Sequence, residues 1–226
     1  MAAFAGARFA LSVVATAGLP AETGPEVAFV GRSNAGKSSA INRMVGQTGL
    51  AFASKLPGRT RELNFFHLRQ GGYLVDLPGY GFARTPRNKQ RTWSDVIDAY
   101  LVDRHALTLV VLVMDIRHAP SELDLAFLDW LRTARPNPLP VLHLLSKVDK
   151  LTQSERMKAV RHVRSALGSR LGPTDLLQPF SAVNGGGLRE CDDFVGRLIG
   201  TVATTERPAR EQGKQEKAPG THGGEG

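Results

Sequence analysis

The chain has 226 residues, 42% of them hydrophobic, and a formal net charge of +8. That length suits one α/β domain with an ample core and a short tail, and the absence of any long apolar run excludes a transmembrane helix. The single cysteine, Cys191, excludes an internal disulfide, fits a reducing compartment and is expected to be a small core residue.

The N-terminus from Met1 to Ala17 is Ala-rich, with Arg8 its only charged side chain. It resembles a secretory signal superficially, but the charge lies in the middle rather than at the start. A short helix or strand packed on the domain edge is expected instead. Glu26 to Val30 reads as a strand, followed by a Gly-rich loop and a helix to about Gly46. Gln47 to Thr60 is too polar and too rich in Gly and Pro for a regular element. Arg61 to Leu68 and Tyr73 to Leu77 are β-type runs around Arg69-Gln70-Gly71-Gly72, a hairpin signal. Leu107 to Met114 reads as a buried parallel strand. Ser121 to Leu131 reads as a helix with a capping-box start at Ser121 and Asp124 and an inner face of Leu123, Phe127, Trp130 and Leu131. Pro140 to Leu145 is another buried strand. Thr152 to Leu167 is an amphipathic helix with Met157, Val160, Val163 and Leu167 inward and Lys158, Arg161 and Arg164 outward. Leu176 to Phe180 is the last strand, and Gly187 to about Thr204 the last helix. Residues 206–226 lack periodicity and are expected to be disordered. They hold four basic and four acidic residues, so the positive excess belongs to the rest of the chain and points to a polyanionic partner.

Strands alternating with helices imply a mainly parallel sheet covered on both faces, with ligands beyond the carboxyl ends of the strands. The loops there carry the chemistry. Gly31-Arg32-Ser33-Asn34-Ala35-Gly36-Lys37-Ser38 fits G-x-x-x-x-G-K-[ST] between a strand and a helix. That context makes a phosphate cradle of backbone N–H groups, with Lys37 for the β- and γ-phosphates and the Ser38 hydroxyl for Mg²⁺. Asp76-Leu77-Pro78-Gly79 follows a later strand. Its carboxylate can hold Mg²⁺ through water, and its glycine N–H can touch a γ-phosphate. Ser146-Lys147-Val148-Asp149 also follows a strand. A carboxylate there accepts from guanine N1–H and N2–H₂, a donor pair that adenine lacks, which argues against an ATP-using kinase. Phe180-Ser181-Ala182 after the last strand lets backbone N–H approach guanine O6. Within the irregular segment, Thr60 is the hydroxyl chosen to close over Mg²⁺, and Arg59 beside it is a candidate phosphate or RNA contact.

As a set, these stretches resemble the EngB-type (YihA or YsxC) GTPases of the TrmE–Era–EngA–EngB–septin group. The likeness runs from about Phe9 to Ile199. It includes Pro57-Gly58-Arg59-Thr60, Asn64-Phe65-Phe66, Asp76-Leu77-Pro78-Gly79-Tyr80-Gly81 and Asp115-Ile116-Arg117-His118 with Pro120 and Asp124. Ser146 departs from the family's usual Thr. The resemblance implies an α/β, Ras-like P-loop fold with a mainly parallel six-stranded sheet and one antiparallel strand. It divides the chain into an N-terminal extension at 1–24, a G domain at 25–205 and the tail. It implies a cytoplasmic, monomeric GTPase acting with Mg²⁺ in maturation of the large ribosomal subunit, with a link to cell division and septation. By match, Mg²⁺ falls to Ser38 and Thr60. GTP falls to Gly31–Ser38, to Gly58, Arg59, Thr60, Arg61 and Glu62, to Asp76, Leu77, Pro78 and Gly79, to Ser146, Lys147, Val148 and Asp149, and to Phe180, Ser181 and Ala182.

Many relatives carry glutamine just after D-x-x-G. Tyr80 stands there and cannot orient water in the same way, so slow intrinsic turnover is expected, helped by ribosomal particles or by K⁺. Asn34 is the residue that ligates K⁺ in potassium-activated relatives; a loop hydrogen bond is its alternative duty. Gly79, Tyr80, Lys37 and Asn34 are the catalytic candidates. For Arg117 and His118 the residues alone suggest only an ion pair near a strand end. Basic side chains gather at Lys55, Arg59 and Arg61, at Arg84, Arg87, Lys89 and Arg91 (read as a loop), and at Lys158, Arg161 and Arg164. GTP is expected to order these loops into an rRNA-binding face. The competing assignment is an RNA-binding assembly scaffold with GTP as a structural ligand.

Overall fold

The computed structural model describes residues 3–51, 62–80, 87–135 and 137–205. Seven strands form one sheet in the order β1-β3-β4-β2-β5-β6-β7. They are β1 (Arg8–Val13), β2 (Glu26–Gly31), β3 (Leu63–His67), β4 (Tyr73–Asp76), β5 (Leu107–Asp115), β6 (Val141–Ser146) and β7 (Leu176–Pro179). The helices are α1 (Lys37–Val45), α2 (Arg87–Asp103), α3 (Glu122–Ala134), α4 (Gln153–Leu167) and α5 (Leu188–Thr205). Only β3 runs against the others, so it pairs antiparallel with both β1 and β4 while the remaining neighbours are parallel.

The expected sheet had six strands. The seventh is β1, which extends the edge by pairing Phe9 with Phe66 and Val13 with Leu63. The sequence left this segment as a short helix or strand at the domain edge, because most of its residues are only half-buried or exposed and Phe9 lies open at an edge.

Central strands are apolar through most of their length because both faces are covered. Along β5, Val110, Leu112 and Met114 face one side with Val96, Tyr100 and Leu101 of α2, Leu128 and Leu131 of α3, and Val163 and Leu167 of α4. Leu109, Val111 and Val113 face the other side with Ile41 and Met44 of α1 and Val195 and Ile199 of α5. The period of two along the strand sorts neighbouring residues into opposite layers.

Three expectations change. Arg87, Lys89 and Arg91 stand on helix α2 and not in a loop. The sequence does carry the signal: Trp93, Val96, Ile97, Tyr100 and Leu101 recur at helical spacing. Leu123 is 50% exposed, because Asp124 takes the inward position at the start of α3. Ser121 and Asp124 form a reciprocal capping box, as expected. Met157 is 55% exposed, lying about 90° around the helix from the stripe of Val160, Val163 and Leu167. Thr152 supplies the cap of α4, with Glu155 closing its capping box. Residues 206–226, expected to be disordered, lie outside the described residues.

Candidate nucleotide site

The loops after β2, β4, β6 and β7 meet at one end of the sheet. At Gly31 a side chain is impossible: a Cβ would come within 2.5 Å of the Val113 carbonyl. Gly36 has φ 97° and is the N-cap of α1, where an added Cβ would meet Ser146 Oγ at 3.3 Å. The chain therefore turns sharply at 31–36 and aims the first N–H groups of α1 into the loop, where an anion binds well.

Strand register brings the acidic loop alongside. Phe29 of β2 stands opposite Asp76 of β4. Lys37, the first residue of α1, makes an ion pair with the Asp76 carboxylate. Burial pushes the Asp76 carboxyl above its ordinary range, and Lys37 pulls against that. Leu77 N–H donates to Phe29 O at 3.0 Å and Tyr80 N–H to Gly31 O at 3.3 Å. Gly79 lies so close that a Cβ would stand 3.1 Å from Ser33 N. The Asp76–Gly79 loop is thus laid against the phosphate loop.

Tyr80 is turned toward α3. Its hydroxyl donates to Asp124 Oδ1 at 2.5 Å, and its ring stacks on Phe127 with centroids 5.6 Å apart. Burial, and then the Asp124 carboxylate, push the phenol well above its ordinary range, so it stays a donor.

The Ser146–Asp149 loop is bonded to the phosphate loop. Ser146 Oγ donates its one hydrogen to Ala35 O at 2.5 Å and lies 3.1 Å from Met114 O. Serine thus keeps the local tie that a threonine hydroxyl would make. Lys147 Nζ donates to Asn34 O at 2.7 Å. Asn34 and Lys147 are the two non-glycine residues with positive φ among the described residues, at 64° and 62°. Each such residue costs on the order of 1 kcal/mol, so the bond joins two strained residues. Val148 N–H donates to Phe180 O at 3.2 Å. Ser181 Oγ donates to Asp149 Oδ1 at 2.7 Å and, with burial opposing it, holds that carboxyl below its ordinary range. Asp149 is therefore an oriented anion, the form a guanine edge requires.

Asp115 ends β5 opposite Ser146 in the parallel register. The ion pair expected there is present: Arg117 Nη2 lies 2.6 Å from Asp115 Oδ2. Lys147 Nζ joins it at 2.9 Å from the same oxygen. This third partner was invisible in the sequence, because it depends on strand register. A cleft of about 290 Å³ beside the phosphate loop is lined by Arg32, Ser33, Asn34, Asp115, Arg117 and Lys147, among others.

Gly58, Arg59, Thr60 and Arg61, with Lys55 and Arg84, lie outside the described residues, and Glu62 is exposed just before β3. The other expected nucleotide residues stand together around the four loops. Mg²⁺ fits what is present. Ser38 and the buried Asp76 offer hard oxygen donors, and no cluster of three His, Cys, Asp or Glu side chains stands among the described residues to make a dedicated cage. Mg²⁺ in phosphate sites takes few protein ligands and completes its shell with water and phosphate.

A family model described as "50S ribosome-binding GTPase" matches residues 26–147. The chain is 43% identical over 210 residues to a probable GTP-binding protein EngB from Azoarcus sp. (strain BH72), covering 92% of this chain and 99% of that one. It is 48% identical over 169 residues to the EngB protein of Shewanella putrefaciens (strain CN-32 / ATCC BAA-453), covering 75% of each. Its fold matches the crystal structure of a probable GTP-binding protein engB at a TM-score of 0.62 and 23% identity, covering 78% of this chain and 99% of that one. The fold of Era in complex with MgGDPNP and a 16S ribosomal RNA segment matches with TM-score 0.59 at 19% identity, covering 78% of this chain and 57% of that one. With a phosphate loop bonded to an acidic loop on one side and to a serine-lysine-aspartate loop on the other, this chain belongs to the EngB family of GTP-binding proteins and is a GTPase.

Proposed function

We propose that the protein is a slow GTP-hydrolysing switch in assembly of the large ribosomal subunit, acting in the cytoplasm as a monomer and linked through ribosome supply to division and septation. The observation that carries the nucleotide assignment is the pair of bonds from Ser146 and Lys147 to the carbonyls of Ala35 and Asn34. They hold a phosphate cradle and a guanine-selective carboxylate in one fixed relation. That the matching family model is described as "50S ribosome-binding GTPase" supports the ribosomal partner.

In the proposed cycle the backbone N–H groups of Gly31–Ser38 cradle the phosphates. Lys37 exchanges Asp76 for the β- and γ-phosphates, and Asp149 reads guanine. Ser38, Asp76 and Thr60 would hold Mg²⁺, which supplies charge neutralisation on the phosphates. Tyr80, tied to α3, does not orient the attacking water, which supports slow turnover until a ribosomal particle or K⁺ assists. The net charge of +8 and the exposed Lys158, Arg161 and Arg164 of α4 support contact with RNA phosphates.

Co-sedimentation with large ribosomal particles, in GTP and in GDP across a salt series, tests this. Binding that is stronger with GTP and falls steeply with salt is expected, with single-turnover hydrolysis accelerated by the particles. Binding indifferent to nucleotide, with hydrolysis unchanged by particles, would establish the scaffold alternative instead. Equal hydrolysis in sodium and potassium buffers would remove K⁺ from the scheme.

A further inference from the structure

The Asp115 carboxylate stands between two cations, Arg117 and Lys147. It ends β5, its side chain is 12% exposed, and it receives both side-chain nitrogens of a fork from Arg117: Nε to Oδ1 at 2.9 Å and Nη2 to Oδ2 at 2.6 Å. The Arg117 backbone N–H adds a third bond to Oδ1 at 3.1 Å. The remaining direction of Oδ2 goes to Lys147 Nζ at 2.9 Å. Lys147 Nζ then reaches Asn34 O in the phosphate loop. We infer that Asp115, braced by Arg117, is a positioning residue that holds the Lys147 side chain over the phosphate loop before nucleotide arrives and so sets how long the nucleotide stays.

The inference rests on the assignment of Ser146–Asp149 to guanine. A lysine has four rotatable bonds, and freezing them on binding weakens the complex. Lys147 is 30% exposed, so burial alone does not fix it. Two anchored contacts do, and Asp115 is the side-chain one. Arg117 has a different duty. Its planar fork fixes the carboxylate plane, which a lysine in its place would not do. Burial would raise the Asp115 carboxyl, but its bonds to Arg117 and Lys147 hold it well below the carboxylate range, so it stays charged. The arrangement also gives Arg117 and Asp115 a role that the motif by itself did not reveal.

The test is stopped-flow release of a fluorescent GDP analogue from wild type, Asp115→Asn, Arg117→Gln, Lys147→Met and the double variant Asp115→Asn/Lys147→Met. Asn keeps the shape and removes the charge. Release is expected to be about tenfold faster for Asp115→Asn, the size of one charge-assisted contact, and about threefold faster for Arg117→Gln, where Asp115 keeps Lys147. The double variant should release no faster than Lys147→Met alone, because both changes break the same contact. The tenfold factor should hold equally for the inosine diphosphate analogue, since Lys147 does not read the 2-amino group. Release within twofold of wild type for Asp115→Asn, or multiplicative effects in the double variant, would overturn the inference. So would an Asp115→Asn chain that melts well below wild type without nucleotide while Arg117→Gln releases at the wild-type rate, which would make Asp115 a residue of the fold. If wild type itself failed to bind the analogue, the guanine assignment would fall, a result separate from the others.

Discussion

Replacing Tyr80 with Phe removes one oxygen and tests what that hydroxyl does. Here the hydroxyl donates to Asp124 Oδ1, while Asp124 Oδ2 is already engaged by Ser121 N–H and Oγ. Asp124 is 4% exposed, so water cannot easily replace the lost donor. A hydrogen bond to a charged acceptor contributes about 1.5–3 kcal/mol, and a buried acceptor left short of a donor costs a similar amount. The ring and its stack on Phe127 remain in Tyr80→Phe, so about 2 kcal/mol is expected. For a domain of this size that is a fall in Tm of about 4–8 °C. Because the hydroxyl is spent on α3, intrinsic GTP hydrolysis should stay within twofold of wild type. The assay is urea and thermal unfolding of nucleotide-free protein beside single-turnover hydrolysis. Unchanged stability with hydrolysis slowed tenfold or more would refute the reasoning and place the hydroxyl at the reacting phosphate.

Asp149→Asn should weaken GTP by about 100-fold or more, because two charge-assisted bonds to the base are lost, and should favour xanthosine triphosphate, whose 2-oxo group accepts from the new amide; competition binding reads both. The Asp175 side chain is buried and accepts from Arg132, from His143 Nε2 at 2.9 Å and from Gly172 N–H at 2.9 Å. Burial raises its carboxyl, but these partners win and leave it below its ordinary range. Its contribution is therefore present above about pH 4 and is lost as pH falls through the lower folded value, with the unfolded carboxylate near 3.9 as reference. Asp175→Asn should cost about 3–5 kcal/mol at neutral pH and flatten the acid limb of the stability curve, measured by urea unfolding from pH 3 to 7. Burial, and then the charges of Asp192 and Glu190, push the Cys191 thiol up to about 12. Folded protein should leave an aromatic disulfide reagent unreacted at pH 8 and consume one equivalent in denaturant.

The strand–loop–helix units were legible in the residues alone, because each rests on local physics. Glycines at 31 and 36, a lysine and serine opening a helix, and residues of β5 buried on both faces are all short-range facts. The Ser121 and Asp124 cap is equally local. What lay beyond it were relations between distant segments. Leu123 and Met157 point outward because the phase of a helix is settled by what it packs against, and Asp124 claimed the inward place to meet Tyr80. The edge strand β1 has too little alternation to be told from a short helix and is a strand because β3 offers it a partner. Lys147 meets Asp115 only because β5 and β6 pair in one particular register. A one-residue slip would send that carboxylate to the other face of the sheet. Local chemistry named the groups that can bind a nucleotide, and long-range pairing decided which of them hold one another in place.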